Sequence, residues 1–280
     1  MKQESALAEK HPWTLPWYKA SDSGNVWVMI YLIAIHLLVV IGILLFPLPG
    51  WKVFFGSLIA ACAGGLGTTI GYHRCLAHRA VKLNPVVEQI LIFFAVSNGS
   101  GSPSSWIANH RNHHANADNI DDVSSPRHGG FWWAHLRWLY QWKPSSMEKW
   151  CPDMLRTKYT IWYKLQIPLI AISLCFGYFL FGWAGFFWLG AIRLVYCLHM
   201  QCFVNSLLHL KPGIPEGVDS SRNIWWLGPL QLTAWGENWH DNHHARQASA
   251  HFGFYWWQVD IGWYVIRGLE KIGLATNVRE

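Results

Sequence analysis

A run of apolar residues at positions 26–46 constrains this chain more than any other feature of its sequence. The run is interrupted only by His36, and Pro47 and Pro49 follow it. As a helix, these 21 residues are long enough to cross a hydrocarbon core of about 30 Å. Charged residues make up only 14% of the chain, whereas soluble domains contain about 25%. The sequence therefore predicts an integral membrane protein and excludes an ordinary soluble fold.

Three further apolar runs have the length of a membrane span, at residues 53–70, 159–181 and 186–208. The run 53–70 is rich in glycine and alanine, which favours close packing between helices. Short links join 26–46 to 53–70 and 159–181 to 186–208, whereas the apolar run 86–96 is too short to cross. We expect one all-α domain over residues 1–280, with four transmembrane helices arranged in two hairpins.

Lysine and arginine are distributed unevenly, with 3 in residues 1–25, 10 in 71–158 and 6 in 209–280, against Lys52 alone in the two hairpin links. The positive-inside rule then places both termini and both long segments in the cytoplasm. We expect 71–158 and 209–280 to form a cytosolic helical cap. The formal charge of +6 favours contact with anionic lipid and an acidic redox partner. The absence of a basic recognition module argues against a nucleic-acid partner.

Nine of the 15 histidines fall in clusters at or just beyond the ends of the predicted spans. The clusters are His73 and His78; His110, His113 and His114; His209; and His240, His243 and His244. In a helical H-x-x-H-H string, the first histidine shares a face with those three and four residues later, so one turn can present several imidazoles to a metal. Asn205, four residues before His209, faces the same side. His73 and His78 are five residues apart and share no α-helical face, so this pair needs a helix end or a turn.

The number and type of these side chains indicate two metal ions. Imidazole ligands suit zinc, copper, iron or nickel, and nine of them exceed what one ion can use. Structural zinc sites often contain thiolates, but none of the six cysteines lies in these clusters or forms a C-x-x-C pair. Two redox metals beside apolar spans indicate oxygen chemistry on a lipid-like substrate.

At these residues the chain resembles the membrane-bound fatty acid desaturases, whose signature is three histidine boxes, H-x-x-x-x-H, H-x-x-H-H and H-x-x-H-H. It is most similar to the delta-9 type, which includes acyl-lipid and stearoyl-CoA desaturases. The matching strings are Gly71-Tyr-His73-Arg, Trp106-Ile-Ala-Asn-His110-Arg, Val204-Asn-Ser-Leu-Leu-His209 and Gly236-Glu-Asn-Trp-His240. The resemblance covers roughly residues 25–279, and the combined motifs are highly specific.

The resemblance implies a di-iron enzyme that uses dioxygen as co-substrate and introduces a cis double bond into a saturated acyl chain. The iron ligands would be His73, His78, His110, His113, His114, His209, His240, His243 and His244, with Asn205 reaching an iron through a water. The sequence identifies no catalytic residue beyond these ligands and leaves open whether there are others. Two electrons would come from a separate ferredoxin-like or cytochrome-type donor.

Two departures from the family pattern concern the substrate. Animal acyl-CoA members have Arg-Asp where this chain has Ala108-Asn109, which favours an acyl-lipid over an acyl-CoA substrate. Gln201 and Cys202 stand in place of a Thr-Trp pair beside the bend of the acyl chain, and together with Trp106 they are expected to line the substrate tunnel. The acyl length and the position of the double bond stay open.

Two other functions are compatible with the same clusters. A hydroxylase of the same histidine-box superfamily shares the first hydrogen abstraction with a desaturase. A membrane metal transporter would also need histidines, although it should place them near the middle of the membrane.

Five residues outside the boxes carry weaker expectations. Glu237, beside the third box, either orients a ligand histidine or is an exposed carboxylate. Arg193, inside the last predicted span, should be functional or paired internally. His36 is expected in the core or at a helix interface, and His135 at the surface. His199 is expected either to pack against a neighbouring helix or to line the acyl tunnel.

Overall fold

The computed structural model describes residues 11–22, 24–227 and 235–280 and is mainly helical. Residues 1–10, 23 and 228–234 of the expected single domain lie outside the described residues. The helices are α1 (Val26–Leu45), α2 (Trp51–Leu66), α3 (Pro85–Ser97), α4 (Pro103–Ala115), α5 (Pro126–Trp132), α6 (Trp138–Gln141), α7 (Met147–Trp150), α8 (Thr157–Gly185), α9 (Arg193–Ser206), α10 (His240–Ala245) and α11 (Ile261–Lys271). Wider π-helical segments occupy Gly67–Ala77, Trp133–Arg137 and Phe186–Ile192, and single 3₁₀ turns occupy Pro12–Thr14 and Pro152–Met154.

Three helical stretches of the described chain are long and apolar enough to cross a membrane: Val26–Leu45, Trp51–Ala77 and Thr157–Ser206. The last stretch has 50 residues and contains both of the final two predicted spans. Non-helical backbone at Phe181 and Gly182 interrupts it between them. Gly182 has φ +62°, a conformation that glycine adopts without steric cost. The chain folds back there, and Gly177 and Gly185 come so close that a side chain on either would overlap the other's backbone.

The second apolar helix is longer than its hydrophobic run. It continues beyond residue 70 as the π-helical segment Gly67–Ala77, which is buried throughout. The polar side chains His73 and Arg74 do not end it, because they have partners inside the protein. The Arg74 guanidinium, for example, forms a buried ion pair with Asp260 at 2.9 Å.

The segment Phe186–Ile192 packs against both α1 and α2. Gly42 of α1 packs on Phe187, where a Cβ on the glycine would lie 2.7 Å from the Phe187 side chain. On α2, Gly56 faces Leu189. Small residues therefore allow the last apolar helix to pack closely against both of its neighbours.

Arg193 is buried and held by neutral acceptors, which agrees with the internal pairing expected for it. Its Nε–H donates to the Leu189 carbonyl at 3.0 Å, and its Nη1 donates to Asn98 Oδ1 at 2.9 Å and to the Ser97 carbonyl at 3.2 Å. Ser97 is the last residue of α3, where the helix dipole favours a cation.

Helix α3 packs on Gly67–Ala77 and α8, and the largest apolar core lies around it and includes Ile70, Ile92 and Ile107. Its 13 residues are too few to cross a membrane. The described residues also contain a small antiparallel sheet of Lys82–Leu83 with Ala275–Thr276, which the all-α prediction did not include and which holds the C-terminal segment against the core.

Candidate metal centre

The nine histidines reach one region from four parts of the chain. Helix α4 carries one box at its C-terminal end, and its start is fixed by Pro103 in the first turn and by Ser102, whose hydroxyl accepts the Ser105 N–H at 3.3 Å. Helix α10 begins with His240. His209 follows the end of α9, and His73 and His78 lie on and just after the π-helical segment.

The π-helical backbone brings His73 and His78 together. In this wider helix the N–H of residue i+5 bonds the carbonyl of residue i, and the His78 N–H donates to the His73 carbonyl at 3.1 Å. The two ring centroids are 5.0 Å apart. The spacing of five, which fits no α-helical face, thus suits the helix type that this segment adopts.

The histidines form two groups, in each of which the possible ligand atoms lie within 4.8 Å of one another. The five-histidine group consists of His73, His78, His110, His114 and His243, and the four-histidine group consists of His113, His209, His240 and His244. Every histidine of the predicted set belongs to one group. Such buried convergence of imidazoles is typical of metal binding.

Each H-x-x-H-H box contributes its first and last histidines to one group and its middle histidine to the other, and the two boxes do so in opposite senses. His110 and His114 of α4 belong to the five-histidine group and His113 to the other, whereas His240 and His244 of α10 belong to the four-histidine group. Residues four apart share a helix face, while adjacent residues point about 100° apart. Only the first and last histidines of each box therefore belong to the same group.

Carboxylates hold the Nδ1 side of four of these rings. The pairs are His73 with Glu237 (2.8 Å), His113 with Asp122 (2.8 Å), His209 with Asp118 (3.1 Å) and His244 with Asp219 (2.7 Å). An ionised carboxylate has no hydrogen to donate, so each Nδ1 atom that faces one carries the hydrogen of its ring. The Nε2 atom of each ring is left with a free lone pair, which is the form that binds a metal.

The positions of these lone pairs suit a bound cation. Nε2 of His209 and Nε2 of His244 both face Nε2 of His240, at 2.9 and 3.1 Å. A neutral His240 can donate one hydrogen at most, so at least one pair of lone pairs would otherwise point at each other. In the other group, Nε2 of His243 likewise faces both His73 and His114 at 2.9 and 3.0 Å. The residues present therefore fit a metal ion in each group.

The protonation states of the clustered histidines also suit metal binding. Burial, together with repulsion between neighbouring imidazoles, lowers the pKa well below the ordinary value for His78, His110, His114, His240 and His243. These rings are neutral at physiological pH and available as ligands. Burial also lowers the pKa of His113, but the adjacent Asp122 outweighs it, so the net pKa is raised. A more basic imidazole is a stronger ligand.

The supporting carboxylates are themselves held in the ionised form. Burial alone would raise the pKa of Asp118, but hydrogen bonds from His209, Ser125 and Ser220 lower it below its usual range. The Ser220 N–H lies 2.7 Å from Asp118 Oδ2. Asp118 and Asp219 were not singled out by sequence reasoning, because neither lies in a box and nothing local marks them.

Glu237 is buried beside His73 rather than exposed, which decides between its two sequence interpretations. Trp106 stacks on His110, with ring centroids 4.7 Å apart. Gln201 donates to the Ser100 hydroxyl at 3.0 Å, and Cys202 is buried. Asn205 lies in the last turn of α9, four residues before His209.

Comparison with known proteins agrees with this geometry. The model of the fatty acid desaturase family matches residues 49–275. Delta-9 acyl-lipid desaturase 1 of Arabidopsis thaliana is 35% identical over 99% of this chain and 90% of its own length. The sn-1 stearoyl-lipid 9-desaturase of Synechocystis is 34% identical over 90% of this chain and 79% of its own. The icosanoyl-CoA 5-desaturase of Limnanthes douglasii is 36% identical over 82% of this chain and 66% of its own.

Proposed function

The chain belongs to the fatty acid desaturase family, and from this premise we propose that it is a di-iron enzyme that introduces a cis double bond into the acyl chain of a membrane lipid. The observation that carries the proposal is the pair of histidine groups, in each of which the possible ligand atoms lie within 4.8 Å of one another. Oxidoreductase action on a fatty acyl chain follows from the family, whereas the metal, the ligand set and the lipid class are the proposal.

We assign iron because the donor set is rich in imidazole and holds two sites. Two irons with dioxygen supply an oxidant strong enough for an unactivated methylene C–H bond. The five-histidine group would hold one iron. The four-histidine group would hold the other, with Asn205 completing its ligands through a water.

The protein's own part is to hold the ligands and to exclude water. Phe252 packs on His243 with ring centroids 4.5 Å apart and on His73 at 5.3 Å, and Trp106 covers His110. Tyr72, which is completely buried, stands behind Trp106 at 5.8 Å. A dry wall of aromatic rings strengthens electrostatic interactions in the site and prevents side reactions with solvent.

An acyl-lipid substrate is supported by residues 108 and 109. Ala108 is buried, and Asn109 Oδ1 accepts the Ser145 N–H at 3.0 Å. Neither residue offers a cation to a CoA phosphate. Two of the relatives described above are named acyl-lipid or stearoyl-lipid desaturases, although one is named an acyl-CoA enzyme.

Two electrons per turnover would come from a separate ferredoxin-like or cytochrome-type protein. We place its docking side, the histidine groups and both termini in the cytoplasm, with four spans in two hairpins. The support is the distribution of lysine and arginine along the chain and the reversal at Phe181 and Gly182.

The test is fatty-acid analysis of a host that expresses this chain, with double bonds located by fragmentation and the glycerolipid and CoA pools separated. We expect new cis-monoenes in the glycerolipid pool and none with His243→Ala or His113→Ala, which each remove a ligand from a different group. His11→Gln, far from both groups in the sequence, is the matched control and should keep the product. New monoenes in the CoA pool alone would contradict the lipid assignment, and product from both ligand variants would contradict the site.

The same measurement addresses the two other functions. Hydroxylated chains in place of monoenes would identify a hydroxylase. Metal transport is not favoured, because the relatives named above are desaturases and the histidine groups belong to their family's shared region.

A further inference from the structure

Three histidines outside the metal centre are joined end to end by hydrogen bonds. His36 of α1 and His199 of α9 approach through their Nε2 atoms at 3.1 Å, and Nδ1 of His199 lies 2.8 Å from Nε2 of His135. Because His199 uses its two nitrogens on different neighbours, the rings form a line instead of converging on one point. His135 is 2% exposed, so its expected place at the surface is wrong.

Both ends of this line have defined partners. Nδ1 of His36 lies 2.6 Å from the Leu32 carbonyl, which can only accept, so this nitrogen carries a hydrogen. At the other end, Nδ1 of His135 lies 3.0 Å from the Ser206 hydroxyl oxygen, and Ser206 donates to the Cys202 carbonyl at 2.8 Å. With the Ser206 hydrogen used in this way, His135 must donate to Ser206.

A count of hydrogens shows that this arrangement needs one more proton than neutral rings provide. The line contains four contacts, from the Leu32 carbonyl to the Ser206 oxygen, and each needs one hydrogen. Three neutral imidazoles carry three. The fourth is either an added proton or the Ser206 hydrogen, turned from the Cys202 carbonyl towards His135.

The two states differ in the position of every hydrogen between the rings. In the neutral state, His135 and His199 carry theirs on Nε2, and Ser206 donates to His135. In the loaded state, His36 has hydrogens on both nitrogens, His199 and His135 carry theirs on Nδ1, and Ser206 donates to Cys202. One added proton therefore charges His36 and moves the other two rings to the opposite tautomer.

We propose that His36, His199 and His135 form a proton-storing chain, which takes up one proton and returns it through the Ser206 hydroxyl. Ser206 is the residue after Asn205 and lies three residues before His209, so the chain ends within a few residues, along the sequence, of two proposed metal-site residues. Conversion of two methylenes to a cis double bond with one dioxygen consumes two electrons and two protons and yields two waters. The chain supplies one of these protons, a role that rests on the proposed function.

The surroundings of His135 favour transfer over retention of the proton. Its ring stacks on Phe131 at 5.0 Å and packs on Phe203 at 4.9 Å. Among the described residues, its hydrogen-bonded neighbours include no carboxylate, and the nearby Arg137 donates to backbone carbonyls of residues 13 and 15 and to Gln141. Burial, with the neighbouring imidazoles, lowers the pKa of His135 to about 4. The stored proton therefore does not rest on His135.

Nitrogen-15 NMR of histidine-labelled, full-length protein tests the storage directly, with diamagnetic zinc in both metal sites so that no activity is required. When acidification loads the line with one proton, His36 should become doubly protonated. His199 and His135 should change from the Nε2–H to the Nδ1–H tautomer at the same midpoint, because coupled groups titrate together. His11→Gln should leave these signals unchanged.

Separate midpoints for the three rings, or unchanged tautomers of His199 and His135, would overturn the proposal. In His199→Gln the line is cut, and the tautomer change of His135 should disappear. The NMR measurement does not depend on desaturation. Failure of the proposed function in the product assay can therefore be distinguished from failure of the proton-chain proposal.

Steady-state kinetics of the iron enzyme then test whether the chain delivers its proton to the reaction. In the iron enzyme, Ser206→Ala keeps the three rings but removes the exit, so kcat should fall by about 100-fold, near the lower end of what positioned proton transfer contributes, with KM unchanged. The solvent deuterium isotope effect on kcat should rise, since proton supply becomes limiting. An unchanged kcat and isotope effect in both Ser206→Ala and His199→Gln would refute delivery by this chain.

Discussion

Glu237 provides a selective test of how the metal centre is held. Its Oε1 accepts the His73 Nδ1–H at 2.8 Å and also the Thr69 hydroxyl. Burial alone would raise the pKa of Glu237, but the nearby His73 and Arg74 lower it, so the side chain is ionised. Glu237→Gln keeps the size and an acceptor oxygen while removing the negative charge that strengthens His73 as a ligand.

The expected loss follows from the distribution of carboxylates. Among the described residues, Glu237 is the carboxylate paired with the five-histidine group, whereas three aspartates support the four-histidine group. Loss of such a partner typically weakens metal binding by about 10- to 100-fold, which is about 1.4–2.7 kcal/mol. The change should therefore affect one metal of the two.

The assay is iron content after dialysis against increasing concentrations of a chelator. Glu237→Gln should lose one iron per chain at chelator concentrations about 10- to 100-fold lower than the unmodified protein, and should keep the other iron. Asp219→Asn, which removes the partner of His244, should instead release the iron of the four-histidine group. Simultaneous loss of both irons from Glu237→Gln, or retention equal to the unmodified protein, would refute this account of the site.

Three further changes test the fold and the tunnel. Gly177→Ala should destabilise the protein by about 1–3 kcal/mol, measured as a lower thermal midpoint, because a methyl group there would overlap the backbone of Gly185. Gln201→Trp should change the acyl-length profile of the product, and an unchanged profile would remove Gln201 from the tunnel wall. Hydrogen bonds from Arg111 outweigh burial and lower the pKa of Asp153 to about 2, so its contribution to stability is present above its ordinary pKa and is lost as the pH falls through the lowered value. Asp153→Asn should therefore destabilise the protein at neutral pH, and the difference in unfolding midpoint should shrink in acid.

The sequence was sufficient to predict the apolar helices and the histidines, because both depend on local patterns. Length and hydropathy identify residues 26–46 without knowledge of their neighbours, and two H-x-x-H-H strings are improbable by chance. The family assignment and the acyl desaturase activity are confirmed by the comparisons. The four-span arrangement stays a prediction.

The division of the histidines between two groups could not be derived from one helix. His113 and His114 are adjacent in sequence but belong to different groups, and which group each joins depends on how α4 meets α10. The roles of Asp118 and Asp219 are equally non-local, since each reaches its histidine by tertiary folding. The π-helical path of Gly67–Ala77 also depends on tertiary partners, such as the pairing of Arg74 with Asp260.

The central claim is that each histidine group holds one iron. The most direct test is metal analysis of the purified protein, combined with X-ray absorption at the iron edge. The account predicts two irons per chain with only nitrogen and oxygen neighbours, and one iron per chain in a His209→Ala, His240→Ala double variant that dismantles the four-histidine group. Sulfur neighbours, or two irons retained by that variant, would contradict it.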